Sequence, residues 1–444
     1  MEKEQFVLGT GTEILTPSVG GMLYGYSPRP STSVHDDLRC DAVALGHGKP
    51  TALFISFDLC SIIKTLSLRI RELLEKETGI PANAIILAAI HTHSGPAMNT
   101  TVGWGETDTA YIEEILIPRT VAAAKKAIAA AQPAVMGIGT TESDVGINRR
   151  QINENGQVIL GQNPWGSYDP TMTVLAFRTP DGKPLANIVH YGAHATASGA
   201  NDAITRDWPG FMVDRLERES GAVSMFVNGC MGDVGPRLPN GKTVGAIVID
   251  KNGKRFFDIR YAEELGCRAG FDAVRAYRSI KEYREVDFRS ISDVVSIPHR
   301  PLASEAELER QIRELGDPEK LGGLSLLTCT TLQKRLEIVR SGKTQEPSRD
   351  DEQVQFALNS VVLVPFPYEM FSETTLRLRA YSPFQHTICI SNANGAYAYL
   401  PSRDQLCRGG YEVDQFNYRY PEALVENADD YIIAENLRIM KRLL

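Results

Sequence analysis

His91 and His93 stand two residues apart in Ile90-His91-Thr92-His93-Ser94-Gly95-Pro96, directly after the apolar run Ile85-Ile86-Leu87-Ala88-Ala89-Ile90. In extended backbone, residues i and i+2 point to the same face, so both imidazoles can look into one cavity. Neutral imidazole is the commonest zinc ligand and titrates near neutral pH, so one ring can hold a metal while its neighbour carries a proton. The competing reading is a pair of surface histidines before a Gly-Pro turn. A lone His-x-His does not separate the two, and the rest of the chain has to.

The same arrangement recurs. The strand-like run Leu185 to His190 leads into Tyr191-Gly192-Ala193-His194, and the run Val223 to Val227 leads into a turn with Gly229, Gly232, Asp233 and Gly235. That turn lacks the Gly-Lys-Ser/Thr ending of a phosphate loop. Its acid, Asp233, can build an oxyanion site or orient a metal-bound histidine. A further run, Gln355 to Val364, delivers Glu369 at a turn. Ligands bind at the carboxyl ends of strands in open α/β sheets, and two or three histidines with a carboxylate there form the donor set of a catalytic zinc. Such a metal lowers the pKa of water and polarises a carbonyl, so amide or ester hydrolysis is the natural reaction class. Ser94 lies in no Gly-x-Ser-x-Gly elbow, which leaves a serine-hydrolase reading weaker.

The elements that position these residues read as mixed α/β. The segment Thr51 to Asp58 is strand-like, Ile63 to Glu77 has helical periodicity and stops at Gly79, and Asp108 to Gln132 is an Ala-rich helix. Asp207 is placed as the N-cap of a helix over Phe211 to Glu219. Arg149 and Arg150 sit in a turn and read as a solvated face, while Trp104 reads as a pocket wall. Residues 341–351 read as a loop, 355–364 as one strand and 421–444 as a terminal helix. Mixed sheets flanked by helices within one domain over residues 1–444 are the expected architecture.

Composition narrows the function classes. A net charge of −8 without a basic stripe argues against nucleic-acid binding. No apolar run approaches the ~20 residues that span a bilayer. Seven scattered cysteines without a Cys-x-x-Cys pair, and an N-terminus without an apolar signal segment, lead to an expectation of a cytoplasmic protein.

His91-Thr-His-Ser-Gly-Pro, Asn148-Arg149, Gly192-Ala-His194, Asp207-Trp-Pro-Gly, Gly232-Asp233, Pro367-Tyr-Glu369 and the segment from Asn394 through Tyr399 to Tyr411 together resemble the neutral/alkaline non-lysosomal ceramidase family. The resemblance implies a catalytic domain of mixed sheets and helices holding one zinc through His91, His194, Glu369 and Tyr399. Tyr397 competes with Tyr399 for that place. It also implies His93 and Tyr411 beside the metal as proton donor or acceptor, and Arg149 on the substrate side.

The chain departs from the family pattern in three places. Gly235 stands where ceramidases carry a catalytic serine, and Tyr368 replaces the glycine of Pro-Gly-Glu, which suggests a reshaped pocket beside the metal. The chain also stops soon after Tyr411, so no C-terminal immunoglobulin-like domain is expected. From these departures we expect a zinc-dependent hydrolase of a C–N or C–O bond in a small polar molecule, such as a sugar or cyclitol derivative. A genuine ceramidase and a metal-dependent lyase or isomerase are the alternatives.

Overall fold

The computed structural model describes residues 4–102, 104–245, 247–249 and 255–444, with the side chains of 247–249 and 255–257 left aside. Three sheets carry the chain. The first has five strands in the order Ile85–Ala89, Ala52–Phe57, Arg39–His47, Phe6–Ile14, Gln132–Pro133. The second runs Val223–Asn228, Pro184–Tyr191, Thr171–Arg178, Val135–Glu142, Arg284–Glu285. The third has four strands, Phe288–Pro298, Ser348–Leu358, Val361–Pro365 and His386–Ile390.

Each sheet contains a parallel pair joined by a helix. Ala52–Phe57 pairs with Ile85–Ala89 through the helix Lys64–Thr78. Pro184–Tyr191 pairs with Val223–Asn228 through Asp207–Ser220. Val361–Pro365 pairs with His386–Ile390 through Ser372–Tyr381. A parallel connection must cross over, and a helix packed on the sheet face is the usual way. The strands themselves explain the pairing: Ala52–Phe57, Ile85–Ala89 and Val361–Pro365 are buried along their whole length, as strands covered on both faces are.

Local signals act as read. Helix Lys64–Thr78 buries Leu66, Ile70 and Leu74 on one stripe and ends at Gly79, whose φ of 75° is the left-handed cap that glycine supplies. Fully buried side chains such as Phe54, Phe57, Phe177 and Phe356 each contribute roughly 1.5–3 kcal/mol to the core.

Four expectations are corrected. Residues 355–364 are not one strand: Ser348–Leu358 turns through Asn359, at φ 55°, into Val361–Pro365, so part of the expected loop 341–351 is strand. Asparagine tolerates the left-handed region and makes this tight turn. The terminal helix covers only Ala428–Lys441. Arg149 and Arg150 are buried rather than solvated. Asp207 does not cap its helix but sits inside it at φ 56°, and its carboxylate accepts from the backbone N–H groups of Ala197 and Ser198 at 3.0 and 2.8 Å. It thereby pins the loop that follows His194. No helix among the described residues is long and apolar enough to cross a membrane.

Candidate metal centre and active site

The carboxyl ends of the three parallel pairs meet. His91 lies just beyond Ile85–Ala89, His194 just beyond Pro184–Tyr191, Glu369 just beyond Val361–Pro365, and Tyr399 follows His386–Ile390. Backbone contacts lock the junction: Thr92 bridges Ala195, Ala88 bridges Ala393, and Glu369 pairs with Tyr399 in parallel register. Asn228, at the end of its strand, donates through Nδ2 to the carbonyls of Ile90 at 2.9 Å and Ala193 at 3.1 Å, joining the two histidine segments.

The donor atoms converge. Glu369 Oε2 is 3.1 Å from His194 Nε2 and 3.4 Å from His91 Nε2, and Tyr399 Oη is 3.4 Å from His194 Nε2. On the far side of each ring the backbone sets the tautomer. His91 Nδ1 lies 2.8 Å from the carbonyl of Cys60 and 3.0 Å from the Asn392 side-chain amide. His194 Nδ1 lies 2.9 and 3.0 Å from the carbonyls of Met231 and Val234. His194 Nδ1 has only carbonyls to donate to, so its Nε2 lone pair points into the cluster, and the Cys60 carbonyl turns the His91 ring to present its Nε2 to the same point, which is how a protein prepares imidazoles for a metal. His91, His194 and Glu369 could hold such an ion. His91 adopts φ 70°, a conformation that a non-glycine residue keeps only when its surroundings enforce it.

Electrostatics agree with a ligand set. Burial raises the Glu369 carboxyl, but the charge of His91 outweighs it and holds the group well below its usual range. Burial also opposes protonation of His91, yet the Glu369 carboxylate overrides it and draws a proton to that ring when no metal is present. Burial, reinforced by Arg149, pushes His194 down to about 4. Metal binding requires neutral imidazole and ionised carboxylate, and the latter is already in place.

His93 stands beside the donors, its Nε2 3.1 Å from His91 Nε2, and burial drives its protonation well down. Gly25, at φ 100°, leaves room for this ring: a Cβ there would lie 2.4 Å from His93 Cγ. Tyr411 packs edge-on against Tyr399 with ring centroids 5.8 Å apart. Arg149 lies over the Tyr399 ring at 5.3 Å, and its Nη2 is buried without a partner. A cavity of about 70 Å³ opens over the cluster, lined in part by His91, His93, Glu369, Tyr399, Tyr411 and Trp104.

The remaining expectations divide. Tyr397 turns away to Asp351, to which its hydroxyl donates at 3.1 Å, so geometry favours Tyr399 at the donors. Tyr368 also donates to Asp351, at 2.8 Å, which directs its hydroxyl away from the cluster, while its ring packs against Tyr397, which lines the cavity. The Asp233 carboxylate accepts from the Ser372 backbone N–H and hydroxyl at 2.6 and 3.0 Å, and burial raises it to about 6. It faces a separate cleft of about 650 Å³ that holds none of the donors. Size alone would favour that cleft, but the donor chemistry is in the smaller cavity. The turn around Asp233 orients His194 through backbone carbonyls rather than through the acid.

Glu412 was not visible in the sequence. It is buried and receives Arg149 Nε at 2.8 Å and Arg150 Nη1 at 2.7 Å. Its position beside Tyr411 was the sole sequence signal.

Comparison with known proteins bears on the fold and the family. A neutral ceramidase B from Dictyostelium discoideum is 28% identical over 205 residues, 42% of this chain and 28% of that protein. A neutral ceramidase from Pseudomonas aeruginosa is 27% identical over 203 residues, 42% of this chain and 29% of its own length. The aligned region thus spans under a third of these curated relatives. The crystal structure of neutral ceramidase from Pseudomonas aeruginosa superposes with a TM-score of 0.71 at 19% identity, covering 99% of this chain and 75% of that one. A ceramidase complexed with C2 gives 0.71 at 18% identity, with 99% and 76% covered. The fold is therefore the mixed α/β fold of those structures. The model of the neutral/alkaline non-lysosomal ceramidase N-terminal region matches residues 6–250, more than half of the chain, and the chain belongs to that family.

Proposed function

We propose that the chain is a zinc-dependent amidohydrolase of the ceramidase type, acting through a single catalytic unit that cleaves the C–N bond of an N-acyl amide. The observation that carries this reading is the convergence of His91 Nε2, His194 Nε2 and Glu369 Oε2 at the ends of three sheets, with both Nδ1 atoms tied to backbone carbonyls.

His91, His194 and Glu369, with Tyr399 as a fourth donor, would hold the ion. Zinc bound there would lower the pKa of water and polarise a carbonyl. His93, held neutral, takes a proton at Nε2 and returns it to the leaving nitrogen. The free Nη2 of Arg149 and the Tyr411 hydroxyl meet the negative charge that develops on the carbonyl oxygen. Gly235 supplies no side-chain nucleophile, which favours attack by water.

The relatives are named neutral ceramidases, and that supports N-acylsphingosine as a substrate better than the sugar or cyclitol derivative expected from the sequence. A second reading, a short N-acyl amide, is favoured by the small size of the cavity. Zinc content of protein purified without added metal, measured in parent and His194→Ala chains alongside hydrolysis of a fluorescent N-acylsphingosine and of N-acetyl amides, tests both. Bound zinc lost in the variant and cleavage of either amide class are expected. Absence of zinc together with unchanged behaviour of His194→Ala would overturn the reading.

A further inference from the structure

The cavity over the cluster has one feature that neutral amides do not need. Arg419 lines it, partly buried, and its guanidinium donates through Nη2 to Thr101 Oγ1 at 2.8 Å. Thr101 Oγ1 also meets Tyr24 Oη at 3.1 Å and Asn99 Nδ2 at 2.9 Å, so one neutral oxygen serves three neighbours and leaves the cation's charge uncompensated. Among the described residues, no carboxylate lies within ion-pair distance of Arg419.

The surroundings add charge of the same sign. Among the described residues, Glu369 is the sole carboxylate lining the cavity, and its Oε2 is committed to the two histidines. Arg149 and Arg150 share the single carboxylate of Glu412, two cations against one anion. Behind His93, Arg29 donates to the carbonyls of Asn201 and His93 at 2.5 and 2.6 Å, and its Nη1 is buried without a partner. Of these arginines Arg419 is the one that lines the cavity, with the others in the protein around it, and a cleft walled by one sign of charge concentrates the opposite ion. Guanidinium also matches the planar geometry of carboxylate better than any other side chain does.

We infer that the substrate carries a carboxylate and that Arg419 receives it, which makes N-acyl α-amino acids with a short acyl group the substrate class. This rests on the amide-hydrolase reading and chooses among its substrates. In an N-acyl α-amino acid the carboxylate lies two bonds from the scissile nitrogen. One small molecule in this cavity therefore presents its carbonyl to the metal donors and its carboxylate to Arg419. Hydrolysis breaks the amide C–N bond. The hydroxyl of water joins the acyl carbon, its proton goes to the nitrogen, and a carboxylic acid and a free amino acid leave.

A panel of N-acetyl-L-amino acids, each matched with its neutral C-terminal carboxamide, tests the inference by kcat/KM and by calorimetric binding to zinc-loaded and zinc-free protein. The parent should prefer the acid by about tenfold or more, the scale of a charge-assisted hydrogen bond. That preference should fall to near parity in Arg419→Gln through KM and be partly kept in Arg419→Lys. Equal handling of acid and carboxamide by the parent, or a preference that survives Arg419→Gln, would overturn it. Faster cleavage of N-acylsphingosine than of either would overturn it too, while leaving the amide-hydrolase reading standing. Selective binding of the acid without turnover would sink the hydrolase reading and keep the anion site; no selective binding would sink the site.

Discussion

Arg149 donates through Nε to Glu412 Oε1 at 2.8 Å, so a residue near the end of the chain fixes a guanidinium beside the metal donors. The second carboxylate oxygen of Glu412 takes Arg150, which also donates to the carbonyl of Gly409 at 2.7 Å. All three side chains are buried.

Removing the anion leaves two buried cations facing each other. Breaking a buried ion pair from one side costs about 3–5 kcal/mol. Glu412→Gln, which keeps the shape, should lower the urea midpoint of unfolding by an amount of that order. A double-mutant cycle with Arg149→Met should be strongly non-additive, because the second change removes one of the stranded charges. Additive losses would show that Glu412 does not act through Arg149.

Asp58, at the end of Ala52–Phe57, is raised from its ordinary 3.8 to about 7. Burial is the cause, partly offset by Arg206. Its Oδ2 accepts from the Arg39 backbone N–H at 2.8 Å. The folded chain keeps this proton over a range where the unfolded chain has lost it. Its contribution is therefore complete below pH 3.8, declines as pH rises, and is gone above about 7. Asp58→Asn retains an acceptor for Arg39 and carries no charge. It should flatten the fall in unfolding free energy between about pH 4 and pH 8, a difference of up to about 4 kcal/mol. Parallel pH profiles for parent and variant would contradict this.

Gly235 pairs with Ile147 in a short antiparallel ladder, and a Cβ added there would lie 2.4 Å from the Cβ of Thr243. Restoring the family's serine by Gly235→Ser should thus destabilise the fold by about 1–3 kcal/mol, as overpacking does. Thr243→Gly in the same chain should recover most of that loss in a thermal melt. A fully stable Gly235→Ser would mean that the turn accommodates the side chain without moving.

The sequence by itself determined the local parts of this protein. Apolar runs marked the buried strands, Gly79 marked a helix end, and the histidines and Glu369 could be seen to follow strands, because period and capping depend on neighbours a few residues away. The family resemblance then named Tyr399 as a donor, and the geometry at His194 favours it over Tyr397. Only the tertiary structure decided what each polar group faces. Arg149 looked solvated until Glu412, 263 residues later, was seen to bury it. Asp207 looked like a cap until the loop after His194 claimed its carboxylate. Arg419 had no signal at all. A charged side chain's role depends on the partners that satisfy it or fail to, and those arrive from distant segments once three sheets bring their strand ends together.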